Sequence, residues 1–354
     1  MAYVAVSGGE EAIEASIRLL DYYRSGTEKD IELEAIQEKM SLLVDRVMGE
    51  AGLYAREYAA LALKQCEGSV EEAVFLLRAY RSTLPRDYYT TVTDTLNMRV
   101  IRRISAAFKD IEGGQMLGAT YDYTHRLIHF ERKDEDAAAL ARTVREELEA
   151  QKPEPVSPCP RVSEELRKEG LIDTCEQDDE SPWDVTEHML EFPAGRSARL
   201  QTLSRSDTGF LSGLAYSALR GFGQVHPTVG ELRSGYVELC VPYLYDETES
   251  VYLGEILLTE VECFTEADDK DRLKLAVGYG AVFGRNENKA IAMAVIDREL
   301  DLGGKYPTQD EEFVLMHGDS LEMNGFISHL KLPHYVTFQS KLDAVRKTRE
   351  NGHE

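Results

Sequence analysis

The stretch Tyr236–Phe264, "YVELCVPYLYDETESVYLGEILLTEVECF", decides how the chain is read. Two apolar runs flank the polar segment Asp246–Ser250. β-Branched and aromatic residues suit a pleated, half-buried surface, and the polar cluster suits the bend between two strands. The pattern predicts a β-hairpin. Downstream, "KLAVGYGAVF" predicts another strand, and "NENKAIAMAVIDREL" a helix with Ile291, Met293, Ala294 and Ile296 among its apolar positions. "HYVTF" predicts a short strand, and the last residues a helix.

Upstream the character is helical. "YVAV" at 3–6 suits a short strand, and "SGG" turns the chain into a helix over 10–24 with Ile13, Ile17 and Leu20 on one face. The Gly-Gly turn lacks the Gly-Lys-Ser/Thr and the third glycine of a phosphate loop, so a tight turn is the plainer reading. Helices follow at 32–49, 54–66 and 69–82. The last opens on Ser69-Val70-Glu71-Glu72, a capping-box pattern. "EDAAALARTVREELEAQ" closes a mostly helical region over 1–150. Residues 151–183 carry five prolines and a run of acids, reading as an exposed linker or insertion. A mixed region spans 184–354. The fold class expected is α+β.

Forty basic and 64 acidic residues give a formal charge of −24, which argues against nucleic-acid binding as the main role, because phosphate backbones demand a basic face. The 43% hydrophobic content supplies ample core material. Five cysteines without a CxxC pair fit a reducing compartment better than a disulfide framework. The N-terminus has no signal-peptide pattern, and no window approaches a membrane span. A soluble cytoplasmic protein is expected.

Against this acidity, four stretches stand out. "LLRAYRSTLPR" holds Arg78, Arg81 and Arg86. "NMRVIRRISAAFKDIEGGQMLGATYDYTHRLIHF" brings Arg99, Arg102, Arg103 and Lys109, then Asp122, His125 and Arg126. "AGRSARLQTLSRSDTGFLSGLAYSALRGFGQVHPTVGELRSG" holds Arg196, Arg199, Arg205, Arg220 and Arg233 among seven glycines. Guanidinium groups grip phosphate oxygens in bidentate fashion, and glycines let backbone amides approach the same anion. The plainer alternative is that each arginine pairs with one of the many acids on the surface. In "DYTHR" a carboxylate could stabilise a positive transition state and a histidine could move protons. Alternatively, the group braces a local turn.

The fourth stretch, "SHLKLPHY", places His329 and His334 five residues apart. On a helix that spacing diverges the rings by about 140°, and on a strand it puts them on opposite faces. They converge only if the chain turns between them, and Pro333 disfavours a continuous helix there. Two ligands are too few for a closed zinc site, which takes four. A metal held here would draw further ligands from elsewhere, and an interface site suits that count.

In "YVAVSGGEEAI", "SLLVDRVMGEAGLYARE", "EAVFLLRAYRSTLPR", "RVIRRISAAFKDIEGGQMLGATYDYTHRL", "RSARLQTLSRSDTGFLSGLAYSALRGFGQVHPTVGELR" and "EMNGFISHLKLPHYVTFQSKL" the chain resembles subunit I of the bacterial carbon–phosphorus lyase complex, nearly end to end. Ser7 departs from the basic residue expected there in some relatives. The resemblance implies a role in using phosphonates as a phosphorus source. Acting with the G, H and L subunits, such a subunit makes α-D-ribose 1-phosphonate 5-triphosphate by displacing adenine from ATP, with Mg as the expected counterion. Alone, it acts as a purine nucleoside triphosphate nucleosidase. It implies a central place in a G–H–I–J core, a dimer of heterotetramers on which the J subunit docks, and zinc at the I–J boundary with His329 and His334 among its ligands. Within the matching stretches, Asp122 is the choice for transition-state charge and His125 for protonating the base. Arg102, Arg103, Arg199, Arg205 and Arg220 are the choices for gripping phosphates. The alternative is a scaffold that organises a site owned by its partners.

Overall fold

The computed structural model describes residues 9–26, 30–151, 159–173, 181–224, 226–269, 272–331 and 338–350. Helix α1 (Glu10–Ser25) buries none of its residues, so its apolar stripe faces solvent. The expected helix over 32–49 is two helices, α2 (Leu33–Lys39) and α3 (Ser41–Ala51), broken where Met40 leaves helical geometry (φ −115°, ψ 33°). Helices α4 (Arg56–Gln65) and α5 (Val70–Arg81) follow. Ser69 starts α5 by accepting the Glu72 amide, the serine half of the expected box, while its hydroxyl donates to Glu71 at 3.2 Å. Helices α2 to α5 close around Val44, Val47, Met48, Leu63, Val74 and Leu77, a first core.

The second core belongs to a four-stranded antiparallel sheet of order β1-β2-β3-β4: β1 (Arg99–Ile104), β2 (Thr228–Tyr243), β3 (Asp246–Asp269) and β4 (Arg272–Phe283). The hairpin expected from Tyr236–Phe264 is β2–β3, with Val237 opposite Ile256. Its turn is tighter and earlier than the polar cluster suggested. Pairing runs to Tyr243 opposite Asp246, so Leu244 and Tyr245 make the bend and Asp246–Ser250 already belongs to β3. Register shifts at Leu239/Cys240 and Pro242/Tyr243 let β2 carry a proline and still close the turn.

β1 comes from the region read as helical. It pairs along the free edge of β2, with Arg103 opposite Arg233. Its sequence, Arg-Val-Ile-Arg-Arg-Ile, is a strand sequence whose arginines drew attention as anion ligands. Helix α6 (Ala137–Glu149) forms as expected and has no buried residue. Part of the stretch read as a linker is packed: α7 (Val162–Lys168) brings Val162 and Leu166, with Ile172, against Phe264, and the Leu275 amide donates to Leu171 at 2.8 Å.

Helices α8 (Arg196–Arg205) and α9 (Thr208–Ser217) precede β2, and α10 (Glu287–Leu302), α11 (Glu311–His317), α12 (Ser320–Ser328) and α13 (Phe338–Glu350) follow β4. α10 packs so closely on the sheet that a Cβ on Gly278 or Gly280 would lie 2.2 Å from a helix carbonyl, of Ala294 or Ala290 respectively. Leu203, Leu211, Val261, Val282, Met293 and Ile296 fill this core. "YVAV", the first four residues of "HYVTF" (His334 among them) and Cys175 lie outside the described residues, and no described helix is long and apolar enough to cross a membrane.

Candidate functional site

The two cores meet along a charged seam. Apolar contact across it includes Tyr54, whose ring meets Phe283 edge-on at 5.4 Å while its hydroxyl accepts the Leu257 amide at 3.0 Å, and Leu321 of α12, packed against the first core. Elsewhere α3 and α5 present acids and arginines. Asp45, fully buried, accepts Arg56 at 2.9 Å and the Arg285 amide at 3.0 Å. Glu50, also fully buried, accepts Arg46 at 2.7 Å and both the amide and hydroxyl of Thr208 at 3.0 and 2.8 Å. Arg78 crosses the seam, donating to the Glu50 carbonyl at 3.0 and 2.7 Å, to the Arg205 carbonyl at 3.1 Å and to Asp319. Burial works against the Asp319 charge, but Arg78 holds that carboxyl below its ordinary pKa. Such pairs keep the buried charges tolerable and fix one core on the other.

At the open end of the seam the pairing changes. Arg78 and Arg81 are three residues apart on α5 and so share a face. Arg205, the last residue of α8, comes in beside them. Among the described residues Arg81 donates only to carbonyls, Ala51 at 3.2 Å and Gly52 at 3.4 Å, and Arg205 to the Val185 carbonyl at 3.5 Å. Nε of Arg205 is buried and has no hydrogen-bond partner among the described residues. Burial, then the charges of Arg78 and Arg81, push the Arg205 pKa down to about 10. Burial, then Arg78 and Arg86, lower Arg81 as well. Both stay cationic at neutral pH.

A cavity of about 190 Å³ opens onto these two groups. Gly52, Arg81, Thr186, Gln201, Ser204 and Arg205 line it together with Leu258 and Phe283, and among the described residues no acid does. Val185, Thr186 and Arg205 are shared with a larger cavity of about 670 Å³, which Arg78, His188, Ser206, Asp319 and Glu322 also line. The segment carrying Thr186 is pinned by Asp184. That carboxylate accepts Thr186 at 2.8 Å (amide) and 2.6 Å (hydroxyl), together with Arg86. Burial opposes its charge, but the Thr186 bonds, then Arg86 and Tyr89, hold its pKa at about 2.

The residues singled out from sequence are distributed differently. Arg205 lies at the cationic end of the seam. Arg103 is fully buried, paired with Glu231 and donating to the carbonyls of Glu112, Gly114 and Pro160. Arg102 donates to Glu287 at 2.5 Å and to the Leu117 carbonyl, Arg199 pairs with Asp301, and Arg220 is exposed on the turn after α9. Asp122 and His125 do come together, Oδ1 to Nδ1 at 3.0 Å, in a short turn where Asp122 also accepts Thr124. The Thr124 hydrogen bonds, then His125, lower the Asp122 pKa. This pair is exposed and lines neither cavity. His329 caps the C-terminus of α12, where its Nδ1 faces the Phe326 carbonyl. Among the described residues no group of three or more His, Cys, Asp or Glu side chains is placed to hold a metal. Gly52 and Thr186 were not singled out from sequence, and Arg81 stood out only as one of the clustered arginines of "LLRAYRSTLPR", not among the choices for gripping phosphates. The three-residue spacing of Arg78 and Arg81 was the available signal.

The family model for the bacterial phosphonate metabolism protein (PhnI) matches residues 2–352. The chain is 44% identical, over 98% of its length and 98% of the relative's, to the protein of Escherichia coli named alpha-D-ribose 1-methylphosphonate 5-triphosphate synthase subunit PhnI. It is 45% identical, over 98% of its length and 95% of the relative's, to the Rhizobium meliloti protein of the same name. With matches this long and this even, the chain belongs to the PhnI family of bacterial phosphonate metabolism proteins.

Proposed function

We propose that this chain is a subunit of a synthase that forms an α-D-ribose 1-phosphonate 5-triphosphate within a multi-subunit carbon–phosphorus lyase system. The observation that carries this is the end-to-end likeness to two relatives named as subunits of such a synthase, at 44% and 45% identity, and to a Stutzerimonas stutzeri relative named "Putative C-P lyase subunit protein HtxH", at 45%. In the reaction the bond from ribose C1′ of ATP to adenine breaks, and a bond from C1′ to a phosphonate oxygen forms. The bonding electrons leave with adenine, which takes up a proton, and nothing is oxidised or reduced. C1′ gains oxocarbenium character, which a nearby carboxylate stabilises and a proton donor to the base assists.

Asp122 and His125 offer that pair. Asp122 is held ionised by its Thr124 bonds, and His125 stands within proton-transfer distance of it. The pair is too exposed to act as it stands. Tyr121, Tyr123, Leu127, Ile128 and Phe130 around it are each more than three-quarters exposed, an apolar surface that supports coverage by a G, H, J or L subunit or by a second copy. We place Arg102, Arg103, Arg199 and Arg220 behind Arg205 as phosphate ligands, because the first three already serve protein acceptors. His329 suits zinc chemistry: its Nδ1–H donates to the Phe326 carbonyl, the kind of supporting bond that metal-ligating imidazoles make. His334 and a partner subunit would complete the set.

The test is adenine release from Mg·ATP by the chain assembled with its partner subunits, with and without methylphosphonate. A ribosyl phosphonate triphosphate product is expected, and Asp122→Asn is expected to slow its formation by at least a hundredfold without loss of assembly. An assembled wild-type complex that forms no such product sinks the reading in favour of a scaffold.

A further inference from the structure

In a chain with 64 acids and 40 lysines and arginines, a half-buried arginine should find a carboxylate. Along the seam Arg46, Arg56, Arg78 and Arg86 all do. Arg81 and Arg205 do not: no ion pair among the described residues includes either. Two guanidinium groups brought together, with a buried Nε unpartnered, cost desolvation and mutual repulsion that the charges of Asp184 and Asp319 offset only in part. A bound anion would supply the missing partner.

The two cavities differ in a way that selects the ligand. The smaller is lined by both arginines and, among the described residues, by no acid. The side chains of Thr186, Ser204 and Gln201 that also line it already donate to Asp184, to the Gln201 carbonyl, and to Trp183 and Ser197, which leaves the two guanidinium groups as its charged feature. The larger is lined by Glu187, Asp319 and Glu322, which repel anions. At about 190 Å³ the smaller is below the 300–1,000 Å³ typical of pockets that enclose a whole small molecule. It takes an anionic fragment, and whatever is attached continues past Arg205 and Thr186 into the larger space. We propose that Arg81 and Arg205 bind the polyphosphate chain of a nucleoside triphosphate in the smaller cavity, its nucleoside end directed into the larger one. That the anion is a nucleotide's rests on the synthase reading above; that the site takes a short polyanion rests on the geometry alone.

The experiment is calorimetric titration of the 354-residue chain with inorganic tripolyphosphate, ATP and methylphosphonate in parallel. Tripolyphosphate and ATP are expected to bind, and Arg81→Met and Arg205→Met each to weaken both at least tenfold. Arg142→Met, on exposed α6, should change neither. Because losing a seam arginine could disturb folding, Ser204→Asp provides an independent arm: it adds an acid to the cavity and keeps both arginines, and it should weaken tripolyphosphate as strongly. Natively folded Arg81→Met and Arg205→Met proteins that bind tripolyphosphate like wild type overturn the proposal. So does a wild-type chain that binds methylphosphonate but no polyphosphate. Tripolyphosphate binding lost in Arg205→Met, in a complex that makes no ribosyl product, keeps the site and removes the synthase reading. Undiminished product formation from ATP by Arg205→Met does the reverse.

Discussion

Arg81 and Arg205 meet across Gly52, whose missing side chain is what lets them do so. The residue caps α3 in the left-handed region (φ +65°), and a Cβ there would stand 2.8 Å from Nη1 of Arg81 and 3.4 Å from Nε of Arg205.

Gly52→Ala therefore meets two obstacles, a backbone conformation that costs an L-residue about 1–2 kcal/mol and a methyl group wedged between the guanidinium groups. Urea unfolding should show a loss in that range, and tripolyphosphate affinity should fall together with it. An unchanged denaturation midpoint would mean that the left-handed cap is dispensable.

Lys289 is a second charge the fold tolerates poorly. It lies on α10 with Nζ buried and unpartnered among the described residues. Burial is the main reason its pKa falls from the ordinary 10.5 to about 8. Glu50 and Asp207 partly offset burial, while Arg46 and Arg78 add to it. Below about pH 8 folded and unfolded chains both hold the proton and the cost is present in full. Between 8 and 10.5 only the unfolded chain holds it, so stability rises with pH. Lys289→Met should be favoured most below pH 8. Its advantage over wild type should narrow by on the order of 3 kcal/mol by pH 10.5, read from paired denaturation curves across that window. A constant difference between the two proteins would refute the assignment.

Gly278 and Gly280 set the spacing between α10 and β4. Adding a methyl group at either position pushes first on a helix carbonyl, which cannot swing away as a side chain could, and at Gly278 on Arg298 and Cys263 as well. Gly278→Ala and Gly280→Ala should each destabilise by about 1–3 kcal/mol or more, measured by thermal melting. Gly213→Ala, where a Cβ meets nothing within 4 Å, is the matched control and should lose far less.

Arg103→Met separates structure from binding at a residue chosen from sequence for its charge. It removes one half of a fully buried pair and strands Glu231, so a loss of about 3–5 kcal/mol is expected. If the variant instead folds with native stability and has weakened ATP binding, its contacts in the free chain are not its main role.

Much of the fold was legible because it is local. Helices α4, α5, α6 and α10 follow from apolar spacing and caps within a dozen residues, and the β2–β3 hairpin from two adjacent runs. β1 was hidden because its partner lies over 100 residues away and its arginines masked a strand sequence. α7 was hidden because prolines and acids on either side outweighed Val162, Leu166 and Ile172. For the site, charge clustering identified Arg205 and the neighbourhood of Arg78 and Arg81. It could not separate arginines that would be consumed by carbonyls and acids, such as Arg103, from those left facing a cavity. That distinction depends on pairing between α5 and α8, which no local pattern encodes.

The burial of Arg103 also sets a timetable for the nascent chain. Its carboxylate partner is 128 residues further on, and apart from the backbone bridge between Arg103 and Met116 its strand has no neighbour until β2 exists. At a synthesis rate of roughly 5–20 residues per second, β1 leaves the ribosome several seconds or more before the residues that can pair with it. The helical core of α2 to α5 can form during that interval, while an unpaired strand edge bearing a charge that must finally be buried waits beside it. Charge on that waiting edge is itself protective, since arginines discourage edge-to-edge association.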